Sequence, residues 1–337
     1  MPIKSITELT ALAAAALKAH GASEPMALTT AKYLVAADVQ GLATHGVMRV
    51  ASYCGHLAVQ RAHGAAVPKI VNEKAAACLI DAGNGLGFEA CEMAVAQAVA
   101  RARTQGMGFA GVTNSHHCGA LGILLEPVAA AGMVGLAFSN ASSAIMPQGG
   151  TRAIFGTNPV AAVFGCRNAP PIVVDLSLTQ VTRGQIMLYA KEGKPIPDGW
   201  GMDKDGQPTN DAQKILVGGS LYAVGGLKGT MLALAVELIC CALTGAALSH
   251  EVASMHTIEG PPLRLGQSFI AIDPGALAGS EVYFERVETL VAAMLADEGV
   301  RLPGDRRHAL AASAAQQGVN VGDELFNQLQ TLAQGPA

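Results

Sequence analysis

This chain is poor in charge. Only 14% of its 337 residues are Asp, Glu, Lys or Arg, and the formal net charge is −4. With no broad basic field, nucleic acid and anionic membrane surfaces are poor partners, and a small metabolite fits better. The seven cysteines (Cys54, Cys78, Cys91, Cys118, Cys166, Cys240 and Cys241) are odd in number, show no C-x-x-C spacing and sit mostly inside apolar runs. They read as reduced, buried thiols of a cytoplasmic protein. No HExxH or paired-carboxylate spacing accompanies the nine histidines, so no metal centre is expected. Met1-Pro2-Ile3-Lys4-Ser5 runs straight into a helical pattern without the apolar block and cleavage site of a signal peptide, which argues against export. No internal repeat or low-complexity linker interrupts the chain.

What remains is a hydrophobic sequence, 50% apolar, able to bury a large core as one or two domains. Residues 229–248 are nearly all apolar and long enough to cross a bilayer, but Glu237 stands near the middle. A carboxylate at that depth costs on the order of a few kcal/mol, so the stretch is expected to be a buried helix in a protein core, not a membrane span.

Helices are expected at both ends, with an alternating pattern between. Ser5-Ile6-Thr7-Glu8 has capping-box spacing and opens a helix to about His20, and Ser23 caps a second with Pro25 in its first turn. From about Ala75, apolar runs at 78–81, 108–113 and 134–139 alternate with amphipathic segments at 88–104 and 121–131, a βαβαβ rhythm. Beyond Gly150 the Gly and Pro density rises, and Asp205-Gly206 predicts a tight hairpin near 203–209, hence a sheet of mixed direction. Helices return at about 228–247, 281–297, 305–317 and 321–334, with 267–273 as a strand. This divides the chain into a helical segment 1–74, an α/β domain 75–265, and a strand with C-terminal helices, 266–337.

Three segments point to chemistry. Asn114-Ser115-His116-His117-Cys118-Gly119 lies between a strand and a helix, where side chains are held at a fixed height and backbone N–H groups face a ligand. Adjacent His116 and His117 point to opposite sides of an extended chain, so only one can face a site. Thr44-His45-Gly46-Val47-Met48-Arg49 places an imidazole and a guanidinium four residues apart, on one face if the segment is helical. An acid beside a carboxylate clamp is what an enzyme acting on a 2-oxo or 2-imino acid needs, although a surface arginine beside a structural histidine has the same spacing. The third segment is Phe155-Gly156-Thr157-Asn158-Pro159.

Two glycine runs fail as nucleotide loops. Gly83-Asn84-Gly85-Leu86-Gly87 follows a strand and opens a helix, but Phe88 stands where the dinucleotide fingerprint needs its third glycine; a plain strand-to-helix turn is the alternative. Gly225-Gly226-Leu227-Lys228-Gly229 lacks the Gly-Lys-Ser/Thr order and leaves only a lysine at a glycine-rich helix start.

Taken together, Thr44-His45-Gly46-x-x-Arg49, Asn114-Ser115-His116-His117-x-Gly119, Gly156-Thr157-Asn158-Pro159, Val174-Asp175-Leu176-Ser177, Gly225-Gly226-x-Lys228-Gly229 and Leu302-Pro303-Gly304-Asp305-Arg306-Arg307 resemble the malate/L-lactate dehydrogenase family of NAD(P)-dependent oxidoreductases, nearly end to end. This family is distinct from the ordinary lactate and malate dehydrogenases. It includes sulfolactate and ureidoglycolate dehydrogenases and Δ1-piperideine-2-carboxylate reductase. The resemblance implies an α/β fold with a non-Rossmann NAD(P)-binding domain on a mixed, largely antiparallel sheet, and a helical domain built from both chain ends. It also implies a homodimer.

The resemblance assigns roles. His45 is the general acid, held by Asp175 and Thr44; Arg49, Thr157 and Asn158 hold the substrate carboxylate. His117, Cys118, Gly119, Ala120 and Leu121 line the cofactor, NADPH or NADH. Ser139, Asn140, Asp175, Leu176, Ser177 and Lys228, with Gly304, Asp305, Arg306 and Arg307, surround its ribose and phosphates. Thr44 stands where the family usually has serine, keeping the hydroxyl and adding a methyl. The expected reaction moves hydride between the cofactor and the carbon alpha to a carboxylate, 2-oxo acid to 2-hydroxy acid. Reduction of the cyclic imines Δ1-piperideine- or Δ1-pyrroline-2-carboxylate is the alternative. A non-catalytic metabolite-binding protein is a third reading, disfavoured because such a protein needs no proton donor.

Overall fold

Both ends of the chain build one helical layer. In the computed structural model, which describes residues 3–336, Ser5 Oγ accepts from the Glu8 N–H at 3.1 Å while the Glu8 carboxylate accepts from the Ser5 N–H at 3.0 Å. This reciprocal cap starts helix Ile6–Ala19. Ser23 caps helix Glu24–Val39, with Pro25 in its first turn where the missing N–H costs nothing. Ala13, Ala16, Leu17, Ala27, Ala31 and Leu34 are buried between these helices, and their small side chains permit close approach. The C-terminal helix Asp323–Ala333 packs on the first of them, and Ile3–Lys4 pairs antiparallel with Val319–Asn320, joining the two termini.

The second layer is a seven-stranded sheet: β1 (Lys69–Lys74), β2 (Ala77–Asp81), β3 (Met107–Ser115), β4 (Val134–Ser139), β5 (Val160–Phe164), β6 (Ile172–Leu176) and β7 (Leu265–Ile272). Its order is β1-β2-β3-β7-β4-β5-β6, and only β2–β3 is a parallel pair. The alternating rhythm of residues 75–139 is present, since β2 and β3 are joined through helix Gly87–Gln105 in a parallel unit. β4 runs in the same direction, but β7 enters between β3 and β4, antiparallel to both. The result is an α/β fold with a mixed, mostly antiparallel central sheet. Phe269 and Ala271 of β7, Ala110 and Val112 of β3 and Ile80 of β2 form the core with Ala94, Ala98 and Ala102 of the helix above. At Gly108 a Cβ would lie 2.1 Å from the Ala98 carbonyl oxygen, so this glycine sets how closely helix and sheet approach.

Two expected elements differ. The single helix at 121–131 is two short ones, Leu121–Leu124 and Glu126–Ala130, because Pro127 cannot continue the first. The apolar run beginning at 229 is helix Leu227–Glu237 followed by a π-helical turn, Leu238–Ala242, and it is buried on one face only. Gly229, Thr230, Ala233, Val236 and Glu237 face inward, whereas Leu227, Met231, Leu232 and Leu238 are each about half exposed. The Glu237 carboxylate, 4% exposed, accepts from Asn158 Nδ2 at 2.8 Å and from the Ser249 N–H and hydroxyl at 2.6 and 2.7 Å. These bonds satisfy a buried charge that would otherwise be very costly. Among the described residues no helix is long and apolar enough to cross a membrane. Six of the seven cysteines are buried, and all are free.

Candidate active site

The proton-transfer candidates lie just after helix Glu24–Val39. His45 and Arg49 do not share one α-helix: two 3₁₀ turns, Ala43–His45 and Val47–Arg49, are separated by extended Gly46. The reason is Asp38, whose carboxylate accepts from the Val47 N–H at 2.7 Å and occupies the space where a Gly46 side chain would go. A Cβ on Gly46 would stand 2.0 Å from Asp38 Oδ1. Burial pushes the Asp38 carboxyl up to about 6 against the pull of that N–H. Thr44 Oγ1 is 3.1 Å from His45 Nδ1, and among the described residues His45 Nε2 has no protein partner. Arg49 donates from Nε to the Thr44 carbonyl at 2.7 Å, and both of its Nη groups are left without a protein partner among the described residues. The broken turn thus presents a proton-carrying ring and a guanidinium fork to the same space.

At the end of β3, the two adjacent histidines diverge as the extended backbone requires. His116 is buried, and its Nε2 lies 2.9 Å from His56 Nδ1, while His56 Nε2 lies 3.0 Å from the Thr257 carbonyl. Because that carbonyl only accepts, His56 carries its proton on Nε2, and His116 donates from its own Nε2. His117 faces the opposite way. Tyr53 hydroxyl at 2.6 Å and the Gly119 N–H at 3.3 Å both donate to its Nδ1, and its ring stacks 5.6 Å from that of His45. Gly119 has φ +76°, and a Cβ there would press on the Phe88 ring at 2.8 Å. Phe88 is itself fully buried, and the Gly83–Gly87 loop before it forms no part of the cavity wall.

One cavity of about 620 Å³ collects these groups. Thr44, His45, Arg49 and Thr157 line it, together with the backbone run from His117 through Cys118, Gly119 and Ala120 to Leu121. Ser139, Asn140, Asp175, Leu176, Ser177 and Arg307 complete the expected part of the wall. The Asn140 amide is committed to the fold, donating to the Ala247 carbonyl at 2.9 Å and accepting from the Gly266 N–H at 2.9 Å. Asp175 makes no hydrogen bond to His45 among the described residues. Its Oδ2 accepts instead from Arg307 Nη1 at 2.9 Å and from the Gly122 N–H at 3.1 Å.

Five expected residues are not brought to the cavity. Asn158, at φ +39°, turns into the core and donates to Glu237 and the Ala233 carbonyl. Lys228 is exposed on the first turn of its helix, away from the cavity wall. Asp305 caps its own turn by accepting from the Leu302 N–H, Gly304 packs against Val173 and His308, and Arg306 projects outside beside Gly41. Sequence reasoning in turn missed part of the lining: Thr179 to Gly184, with Met255 and His256. Thr182 is the helix cap of Arg183–Glu192 and a readable signal; His256 follows no spacing that would have singled it out.

The electrostatics are those of a site that keeps its histidines uncharged. Desolvation lowers His45 to about 4, with Arg49 and Arg307 pushing the same way and Asp175 opposing. His117 is driven well below the ordinary histidine range by burial and by His45 and Arg49, and His256 falls to about 4 for similar reasons.

An uncharged imidazole beside a guanidinium without a protein partner among the described residues, in one cleft, is the set that a dehydrogenase or reductase acting on a carboxylate substrate needs. A family model described as malate/L-lactate dehydrogenase matches residues 4–330, and the chain belongs to that family. It is 41% identical over 330 residues to the (2R)-3-sulfolactate dehydrogenase (NADP(+)) of Chromohalobacter salexigens, covering 98% of this chain and 97% of the relative. It is 36% identical over 327 residues to a Δ1-pyrroline-2-carboxylate/Δ1-piperideine-2-carboxylate reductase of Pseudomonas putida, covering 97% and 95%. Among solved structures, the Δ1-piperideine-2-carboxylate reductase of Pseudomonas syringae superposes with a TM-score of 0.93 at 33% identity, covering 98% of this chain and all of that one. The sulfolactate dehydrogenase of Methanocaldococcus jannaschii does so at 0.89 and 30%, covering 99% and 97%. The chain is an enzyme, an oxidoreductase of this family.

Proposed function

We propose that the protein interconverts a 2-oxo acid and a 2-hydroxy acid with NADP(H). The observation that carries this reading is the pairing, in one cavity, of His45 Nε2 with the Nη groups of Arg49, all without a protein partner among the described residues. The donor set fits a dinucleotide: hydroxyls of Ser177 and Thr179, the backbone from His117 to Leu121 and the Arg307 guanidinium line the same cleft. When bound there, the cofactor supplies or accepts the hydride. Arg49 and Thr157 grip the substrate carboxylate and fix which face of the trigonal carbon is presented. His45, oriented through Nδ1 by Thr44, gives a proton to the oxygen in reduction and takes it back in oxidation. Asp175 acts on His45 through its charge, from its place beside Arg307.

The likeness to the P. syringae enzyme favours a second reading, cyclic imine reduction, in which the same proton goes to nitrogen. NADPH oxidation against pyruvate, oxaloacetate, sulfopyruvate and Δ1-piperideine-2-carboxylate separates the two. Turnover of the oxo acids is expected, and turnover of the imine alone overturns the first reading.

The cofactor- and substrate-binding domain, of non-Rossmann type in a cytoplasmic enzyme, would then reach beyond the expected 75–265, because β1 (Lys69–Lys74) and β7 (Leu265–Ile272) belong to the same sheet and His45, Arg49 and Arg307 line the cavity. A homodimer is part of the same proposal, since Leu227, Met231, Leu234 and Leu238 form an exposed apolar stripe on one helix face. Sedimentation velocity should show a dimer at micromolar concentration and a monomer for Leu238→Glu; a wild-type monomer removes the dimer.

A further inference from the structure

The charges facing the cavity do not balance. Among the described residues Asp175 is its only carboxylate, and Arg307 neutralises it at 2.9 Å. Two cations remain, Arg49 and Arg183. Arg49 is accounted for by one carboxylate. Arg183 is partly buried and makes no hydrogen bond or ion pair among the described residues. A guanidinium is weakly hydrated and presents a planar fork, so an idle one in a cleft is suited to a bidentate anion.

Its position ties it to the substrate end. Arg183 opens helix Arg183–Glu192, capped by Thr182, whose Oγ1 accepts from the Gln185 N–H at 3.2 Å. Fully buried Ile186 anchors the helix in a small core with Ile196, Ile215 and Leu221. The next residue, Gly184, approaches Thr44: a Cβ there would lie 3.6 Å from Thr44 Cγ2. Thr44 is the residue that holds His45, so the start of this helix lies beside the proton-transfer segment, and Arg183 lines the same cavity. His256, also on the cavity wall, feels both Arg49 and Arg183. With its ring held near 4 by desolvation, His256 offers a neutral N–H at physiological pH and Arg183 the charge.

We propose that Arg183 is a specificity-determining residue that receives a second acidic group of the substrate, a carboxylate or sulfonate on the carbon beyond the oxo carbon. The enzyme accordingly selects dianionic over monoanionic 2-oxo acids. This inference rests on the oxo-acid reading above. Arg183 also borders a smaller cavity of about 390 Å³ shared with Arg152 and His250, which supplies the control.

The test compares sulfopyruvate and oxaloacetate with pyruvate. In Arg183→Gln, kcat/KM for the two dianions should fall about 100-fold, the scale of one lost charge-assisted bond pair, while pyruvate loses far less. Arg183→Lys should recover only part of the dianion preference, because it keeps the charge and loses the fork. Arg152→Gln should leave the preference as it is. Without turnover, calorimetric titration of the NADP⁺-loaded enzyme with 3-sulfopropionate and propionate should show tighter binding of the former, an advantage that Arg183→Gln abolishes. Equal loss on dianion and monoanion, or weakened NADP⁺ binding in place of weakened substrate binding, overturns the assignment to Arg183 while leaving the oxo-acid reading standing. Reduction of cyclic imine with no oxo-acid turnover defeats both.

Discussion

His45→Ala is expected to lower kcat about 1000-fold, within the range general acid–base catalysis contributes, and to leave the dissociation constant for NADP⁺ nearly unchanged. The argument is geometric first. His45 Nδ1 is taken by Thr44, Nε2 has no protein partner among the described residues, and the free fork of Arg49 opens on the same cavity. The substitution removes the proton carrier and touches neither Arg307 nor the backbone from His117 to Leu121. Single-turnover kinetics with fluorescence titration of NADP⁺ would separate the two effects; a variant with normal kcat takes His45 out of the mechanism.

The same residue sets the pH dependence. His45 in the free enzyme stands near 4, so at neutral pH it is a base, ready for alcohol oxidation. kcat/KM for the 2-hydroxy acid should therefore hold level from neutrality down to about pH 5 and decline through pH 4 as the ring takes up its proton and can no longer accept one. In the reducing direction the ring must arrive protonated. A substrate anion on Arg49 cancels a positive charge that now disfavours imidazolium, which raises His45 in the complex. The stability linkage has the opposite sense from a salt-bridged histidine. The folded state binds fewer protons than the unfolded one between about 4 and 6.5, so this group's contribution is lost as pH falls through that window.

How much of this was legible in the chain depends on the range of the interactions. Local signals carried through: the Ser5–Glu8 cap, the Asp205-Gly206 turn with Gly206 at φ +76°, and the divergence of His116 from His117 all arise within a few residues. A motif says which residues are neighbours, however, and not which way each one points. Asn158 follows Thr157 in an apparently continuous substrate motif, yet its left-handed backbone sends it to Glu237, about eighty residues away in sequence, through the bond that satisfies that buried carboxylate. Lys228 sits at a glycine-rich helix start as expected, but its own side chain is on the exposed side of that turn and is not part of the cavity wall. The central place of β7 was equally unreadable, since an apolar strand at 265–272 has the same alternation at a sheet's edge as at its middle. Arg183 and His256 reach the cleft only because separate segments close over it, a long-range event without a local pattern.

Arg307→Ala is expected to cost about 3 kcal/mol or more of stability, the usual penalty for leaving one partner of a largely buried ion pair behind. The Arg307 and Asp175 side chains are 18% and 10% exposed, too little for water to replace the lost partner. Once Arg307 is gone, Asp175 Oδ2 keeps only the Gly122 N–H. The C-terminal segment need not detach, because the Val173 N–H still donates to the Pro303 carbonyl at 2.9 Å and His308 still reaches the Pro171 carbonyl at 2.9 Å. The damage is therefore an unpaired charge in an otherwise intact wall. It follows that the double variant Asp175→Asn/Arg307→Met, which removes both charges, should regain most of the lost stability in denaturant titration while remaining weak for NADP⁺. Recovery of nucleotide affinity along with stability would make the pair a structural strut alone. Recovery of neither would mean that Arg307 carries contacts beyond Asp175, and that the edge strand depends on it for more than charge balance.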